Sequence, residues 1–183
     1  LITQGVHPMA VAGDLAALLP LIRKILIFSY FTDGELTRML GLSDLLRLPA
    51  GEKLFSQGDD SLAVYALIQG QVDLSFRKAS GTRVSVSAVS AGEVFGEAGV
   101  FMTVKRTADA LVAVDSALLK IDRKNMMTFI KEHPVGGNKL LMLMIYGLLS
   151  KLREANQMLS LENPGAIEMD SIDPLFQDFM NET

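Results

Sequence analysis

Cysteine is absent from all 183 residues, which excludes a disulfide scaffold, a thiolate-ligated metal and a cysteine nucleophile, and fits a cytoplasmic setting. Histidine is nearly as scarce. His7 and His133 alone cannot supply a multi-histidine metal centre, and no Ser-His-Asp set can be assembled around them; His133, just ahead of Pro134, reads as a helix-end residue. Neither a metal cofactor nor enzymatic activity is therefore expected. The longest apolar run, Leu140 to Leu149, is far too short to cross a bilayer, and no basic residue precedes Arg23, so neither a membrane span nor a secretory leader is expected. Positive charge is also in deficit: 17 Lys and Arg against 21 Asp and Glu give a net charge of −4, with no electrostatic reason to expect nucleic acid as a partner.

What is present is a chain with 49% hydrophobic residues, enough for one core with helical extensions. Its grammar divides it into four parts: an N-terminal helical segment over 1–45, a β-rich stretch over 46–122, a helix pair over 123–161 and an acidic tail over 162–183. In the first part Asp14 is a candidate cap for a segment ending before Pro20, and Thr32 with Glu35 reads as a capping box. In the second, short strands are punctuated by glycines, with a turn expected at Gly70. Val72, Leu74 and Phe76 alternate with Gln71, Asp73 and Ser75, and Val84, Val86 and Ala88 repeat the pattern across a hairpin tipped by Ser80-Gly81. Further strands are expected at 54–56, 63–69, 107–114 and 117–121. The fold class is mainly β with flanking helices, an antiparallel jelly roll, or β-roll.

Asp122 is a candidate N-cap for a helix to about Glu132, ended by His133-Pro134. Gly136-Gly137 then separates it from a long helix running from Asn138 to about Leu161. Leu141, Ile145, Leu148, Leu152, Ala155 and Leu159 form a heptad seam on this helix, while Leu140, Leu143, Met144 and Leu149 lie off it. One face is expected to pack on the β domain and the other on a second copy, giving a homodimer through Leu141, Ile145, Leu148 and Leu152. The tail carries six acidic residues and no basic ones, with an apolar anchor at Leu175, Phe176 and Phe179.

The segment FGEAGVFMTVKRTA, 95–108, concentrates the chemistry. Gly96 allows close backbone approach, Glu97 offers a carboxylate to sugar hydroxyls, and the planar donor fork of Arg106 matches the non-bridging oxygens of a phosphodiester. A helical turn after Gly96 would point the amides of Glu97, Ala98 and Gly99 at a bound anion. Direct pairing of Glu97 with Arg106 is the alternative that needs no ligand.

Together with LPAGEKLFSQGD (48–59), the turn at Gly70, AGEVFGEAG (91–99) and KRTA (105–108), this segment resembles the cyclic nucleotide-binding domain shared by catabolite-activator-type regulators, protein kinase A regulatory subunits and cyclic-nucleotide-gated channels. The resemblance covers roughly residues 22 to 160. It implies a phosphate-binding cassette made of Phe95, Gly96, Glu97, Ala98, Gly99, Arg106, Thr107 and Ala108, with Glu97 accepting the ribose 2'-OH. Arg153 and Asn156 on the long helix become candidate base contacts. Two departures from the family pattern are Ala98, where Leu or Ile is common, and Asp109, where an uncharged residue is usual; on a strand Asp109 should face away from the neighbours of Arg106.

The function so implied is that of a stand-alone sensor of cAMP or cGMP, acting by ligand-coupled movement of the C-terminal helix on an unknown downstream protein. A helix-turn-helix needs some tens of residues beyond the long helix, whereas fewer than twenty-five, acidic in character, follow it here, so direct nucleic-acid binding is not expected. The other reading is a ligand-free β-roll that serves as a dimerisation or docking module.

Overall fold

The computed structural model describes residues 12–102 and 104–159. Three N-terminal helices, α1 (Ala12–Ile22), α2 (Leu26–Ser29) and α3 (Asp33–Gly41), precede a six-stranded antiparallel sheet of β1 (Asp44–Leu48), β2 (Lys53–Phe55), β3 (Ala63–Arg77), β4 (Arg83–Ser90), β5 (Val94–Phe95) and β6 (Asp109–Asp122). A four-residue helix, α4 (Ala98–Phe101), lies between β5 and β6; α5 (Arg123–Glu132) and α6 (Pro134–Leu159) close the described chain. The sheet order is β1-β6-β3-β4, with β2 also on β6 and β5 also on β3. Because β3 and β6 each serve several partners along their length, the sheet rolls up, and the expected β-roll is the observed architecture.

The continuous apolar run Ala63 to Ile68 follows from burial on both faces, a pattern that a strand covered on one side would not show. Ala63, Tyr65 and Leu67 point into the roll, where they meet Leu46, Val72, Phe95, Val112 and Leu118. Val64, Ala66 and Ile68 point the other way, into a core of helix residues that includes Ile22, Phe28, Met39, Phe129 and Leu140. Strand β6 divides likewise, Leu118 inward and Leu119 toward the helices. One wall therefore carries two cores.

Several local expectations meet the structure directly. Thr32 and Glu35 form the reciprocal capping box of α3, and Asp122 occupies the N-cap position of α5, though its side chain makes no capping hydrogen bond, with His133 at the C-cap. Others need correction. Asp14 lies inside α1, which also passes through Pro20, so it is not a cap ahead of the helix. The strands expected at 107–114 and 117–121 are one, β6, and those at 63–69 and 72–76 are likewise one, β3. Gly70 is accordingly a bend within a strand: its φ is 101°, and the β3–β6 register shifts on either side of it. On β4 the expected alternation breaks, because Ser75 faces Ser85 while Leu74 faces Ser87, leaving Val86 as the extra residue of a bulge. Val86 is exposed and Val89 takes the buried position.

The glycine pair near the long helix is the clearest correction. Gly136 and Gly137 are in the first turn of α6, which begins at Pro134, a residue suited to the first helical position because its missing N–H needs no partner there. A Cβ on Gly136 would come within 2.7 Å of the Glu35 carboxylate, and one on Gly137 within 3.0 Å of Ile130 Cα. These glycines permit close packing of α6 and do not separate it from what precedes. Along α6, Leu140, Leu143 and Met144 are buried against the domain, whereas Ile145, Leu148, Leu149 and Leu152 are exposed. The side chains of Ala155 and Leu159, and the whole acidic tail, lie outside the described residues. Among the described residues no helix is long and apolar enough to cross a membrane.

Gly70 gives a direct test of the roll. A Cβ there would fall 2.1 Å from Ser116 Oγ and 2.8 Å from the Asp115 carbonyl oxygen, on a backbone conformation that L-residues rarely adopt. Gly70→Ala should lower unfolding stability by about 2–4 kcal/mol, read as a reduced urea midpoint; an unchanged midpoint would contradict the bend as described.

Candidate functional site

The backbone of Arg106 is fixed before its side chain is considered. Its N–H donates to the Asp59 carbonyl at 2.8 Å, and its own carbonyl accepts from Gly58 N–H at 2.9 Å. A bridge between Asp60 and Lys105, joined also by their side chains as an ion pair, secures the same crossing. The SQGD turn of the sequence thus anchors the arginine that follows forty-odd residues later.

From that anchor the guanidinium reaches into the roll and is only 6% exposed. Nη2 donates to the Ala63 carbonyl at 2.7 Å and Nη1 to the Gly96 carbonyl at 3.2 Å. The charged plane lies over the Phe55 ring, 4.2 Å from its centre, and 5.4 Å from that of Tyr65. Tyr65 in turn stacks on Phe95 with centroids 5.4 Å apart. Stacking of a weakly hydrated guanidinium on aromatic faces offsets part of its lost hydration. Burial still pushes the Arg106 pKa down, opposed by Tyr65, Asp59 and Glu97, and burial pushes the Tyr65 pKa up. Arg106 stays charged throughout, because a guanidinium is not deprotonated in proteins. Its Nε is buried without any hydrogen-bond partner. Among the described residues no carboxylate forms an ion pair with it.

Gly96 is required by this arrangement. Its φ is 77°, and a Cβ would stand 2.5 Å from Arg106 Nη1. Gly99, within α4, is equally constrained, since a Cβ there would lie 2.0 Å from Ser61 Oγ. The other cassette residues fall around them: Phe95 is buried at the end of β5, Ala98 is exposed at the start of α4, Thr107 is exposed and Ala108 half-buried.

Glu97 does not pair with Arg106. It is largely buried, and its Oε1 accepts from Lys151 Nζ at 2.9 Å; the same ammonium donates to the Val94 carbonyl at 2.8 Å. The ligand-free pairing held open in the sequence is thus replaced by two separate arrangements. Lys151, on α6, was not anticipated from sequence, nor were the stacking rings Phe55 and Tyr65 or the Ala63 carbonyl. A basic residue on the solvent side of a long helix carries no sign that it will turn back onto a strand carbonyl. Arg153, half-buried, and Asn156, exposed, lie further along α6.

Asp109 is buried and occupies a different cleft. It accepts the Gln57 N–H at 2.9 Å and lies 3.5 Å from Arg83 and 3.9 Å from Arg77. Its orientation away from Arg106 is as its strand position implies. Among the described residues no group of His, Cys, Asp and Glu could hold a metal ion.

With this geometry in place, comparison with known proteins identifies the class. Residues 45–133 match the family model of the cyclic nucleotide-binding domain. The Cyclic AMP receptor protein of Thermus thermophilus is 31% identical over 113 residues, covering 62% of this chain and 50% of the relative. The crystal structure of the Thermus thermophilus catabolite activator protein superposes with a TM-score of 0.62 at 28% identity, over 74% of this chain and 62% of that one. A cyclic nucleotide-binding domain from Methylobacillus flagellatus superposes at 0.71 with 18% identity, over 85% and 88% of the two chains, a likeness of fold. This chain thus spans about half the length of the curated receptor it matches.

The Asp109 contacts predict a pH dependence. The Gln57 N–H, with the charges of Lys53, Arg77 and Arg83, holds the carboxyl below its ordinary value despite its burial. A carboxyl depressed in the folded state contributes stability above its unfolded pKa of about 3.9 and loses it as pH falls through the lower, folded value. Asp109→Asn should therefore be less stable than wild type near neutral pH, with the gap narrowing below about pH 4. Urea midpoints at the two pH values measure this, and a gap independent of pH would refute it.

Proposed function

We propose that this protein binds a 3',5'-cyclic purine nucleotide and acts as a sensor through its long helix. The observation that carries the reading is the buried Arg106 guanidinium with an unsatisfied Nε. Of its five N–H donors, the carbonyls of Ala63 and Gly96 take one each and Tyr65 interacts with the same guanidinium, while Nε–H has no acceptor. A phosphodiester oxygen accepting from Nε–H would satisfy it and bring negative charge into direct contact, which no described carboxylate does. Amides opening α4 next to Gly96 add donors on the same side. The site residues fit the ligand class named by the family.

Glu97 would receive the ribose 2'-OH on the carboxylate oxygen that Lys151 does not use. This makes the acid a filter, since a 2'-deoxy or 2'-phosphorylated sugar leaves it without the hydroxyl donor. Arg153 and Asn156 are our candidates for contact with the base. The Thermus relative is by name a receptor for cyclic AMP, which makes cAMP the first ligand to test and cGMP the second.

The link from ligand to output is the Lys151–Glu97 contact, which joins the cassette directly to α6. A sugar hydroxyl that competes for or reorients the Glu97 carboxylate changes what holds the helix in its present pose. Half-buried Leu141 and the exposed Ile145, Leu148 and Leu152 lie on the same helix and would form the seam with a second copy.

Calorimetric titration with cAMP and cGMP tests the site. A charge-assisted hydrogen bond contributes about 1.5–3 kcal/mol, so Arg106→Ala should weaken binding by at least tenfold. Binding that survives the substitution unweakened would refute the site, and absence of binding by the wild type would favour the docking-module reading. Spin labels at Leu152 should report a distance between two copies that shifts when nucleotide is added; no inter-copy distance would remove the dimer, and an unshifted one would remove the helix movement.

A further inference from the structure

Val94 and Phe95 are neighbours on β5 and face opposite sides: Phe95 belongs to the core of the roll, while Val94 packs against the helical core. On the Val94 side a cleft of about 200 Å³ opens between β5, α2 and α6, lined by Ile27, Val94, Met144, Gly147, Ser150 and Lys151 among others. Arg106, Phe55 and Tyr65 do not line it. Only Glu97, at the boundary, belongs to both this cleft and the cassette.

Gly147 is the telling residue. It lies deep inside α6, where glycine is markedly less favourable than alanine. Unlike Gly136 and Gly137, it has no packing reason to be there, since a Cβ built on it would meet nothing within 4 Å. A side chain at this lining position would enter open space.

The charged groups at the rim already have partners. The Lys151 ammonium is held by the Val94 carbonyl and Glu97, and the Glu93 carboxylate accepts the Ser90 N–H at 2.5 Å. What remains for an occupant is an apolar wall of Ile27, Val94 and Met144, with the Ser150 hydroxyl as a polar handle. A dry cavity of roughly 150 Å³ accommodates benzene, so the volume here suits one ring or two small fused ones. We infer that this cleft is a second ligand site, separate from the Arg106 site, for a small neutral ring compound carrying one hydrogen-bonding group, of the phenol or indole type. The inference does not depend on nucleotide binding.

Indole, titrated into the nucleotide-free protein and followed through the methyl resonance of Met144, is the test. Saturable binding is expected, with benzoate and benzylammonium at least tenfold weaker. Gly147→Leu places a good helix former in the cleft and should raise thermal stability while weakening indole at least tenfold; Ser150→Leu should weaken it similarly from the same helix. The proposal is overturned if indole does not saturate, if it binds both variants as tightly as wild type, or if either charged analogue matches it.

Discussion

The rest of the structure depends on β3 being buried on both faces. A strand whose alternate side chains enter two different cores cannot slip by one residue without exchanging Tyr65 and Leu67 for Val64 and Ile68 in every contact. That fixed register determines where the Ala63 carbonyl points, and this carbonyl is one of the two that hold the Arg106 guanidinium. The other comes from Gly96, one residue beyond β5, which pairs with β3 at Tyr65 and Ala66. Both groups that orient the arginine are therefore set by one strand, and so are the Tyr65 ring beside it and the Phe95 ring stacked on Tyr65.

Burying a guanidinium with two neutral carbonyls and aromatic faces leaves its charge incompletely compensated, and it is this imbalance that gives the site its chemistry. Glu97, close by in sequence, is diverted to Lys151. The division separates the tasks: one group is left able to attract an anion, and the other ties the cassette to the long helix. A Glu97–Arg106 pair would have satisfied both charges locally and left neither for a ligand.

Much of this was legible in the sequence where the determinants are local. Strand alternation, the Thr32–Glu35 cap and the Gly96…Arg106 spacing are properties of short segments, and from them follow the β-roll and the meeting of Arg106 with Gly96. Errors arose where tertiary packing decides the outcome. Gly70 reads as a turn because positive φ is common in turns, yet here it lets a long strand bend closely past Ser116. Gly136-Gly137 reads as a break because glycine is a poor helix former, yet both positions are imposed by neighbours, Glu35 and Ile130, distant or separate in sequence. The bulge at Val86 and the return of Lys151 onto β5 likewise depend on partners that a linear pattern does not display.

The close packing at the start of α6 also fixes its mechanics. With Gly136 against Glu35 and Gly137 against Ile130, the root of the helix is pinned, while Leu152 lies eighteen residues further along the same continuous helix. At 1.5 Å per residue that is an arm of about 27 Å, so a rotation of roughly 10° at the root carries the far end by about 5 Å. Any tilt of the helix about that root would be magnified, at the exposed leucines, into a displacement about as large as one helical turn.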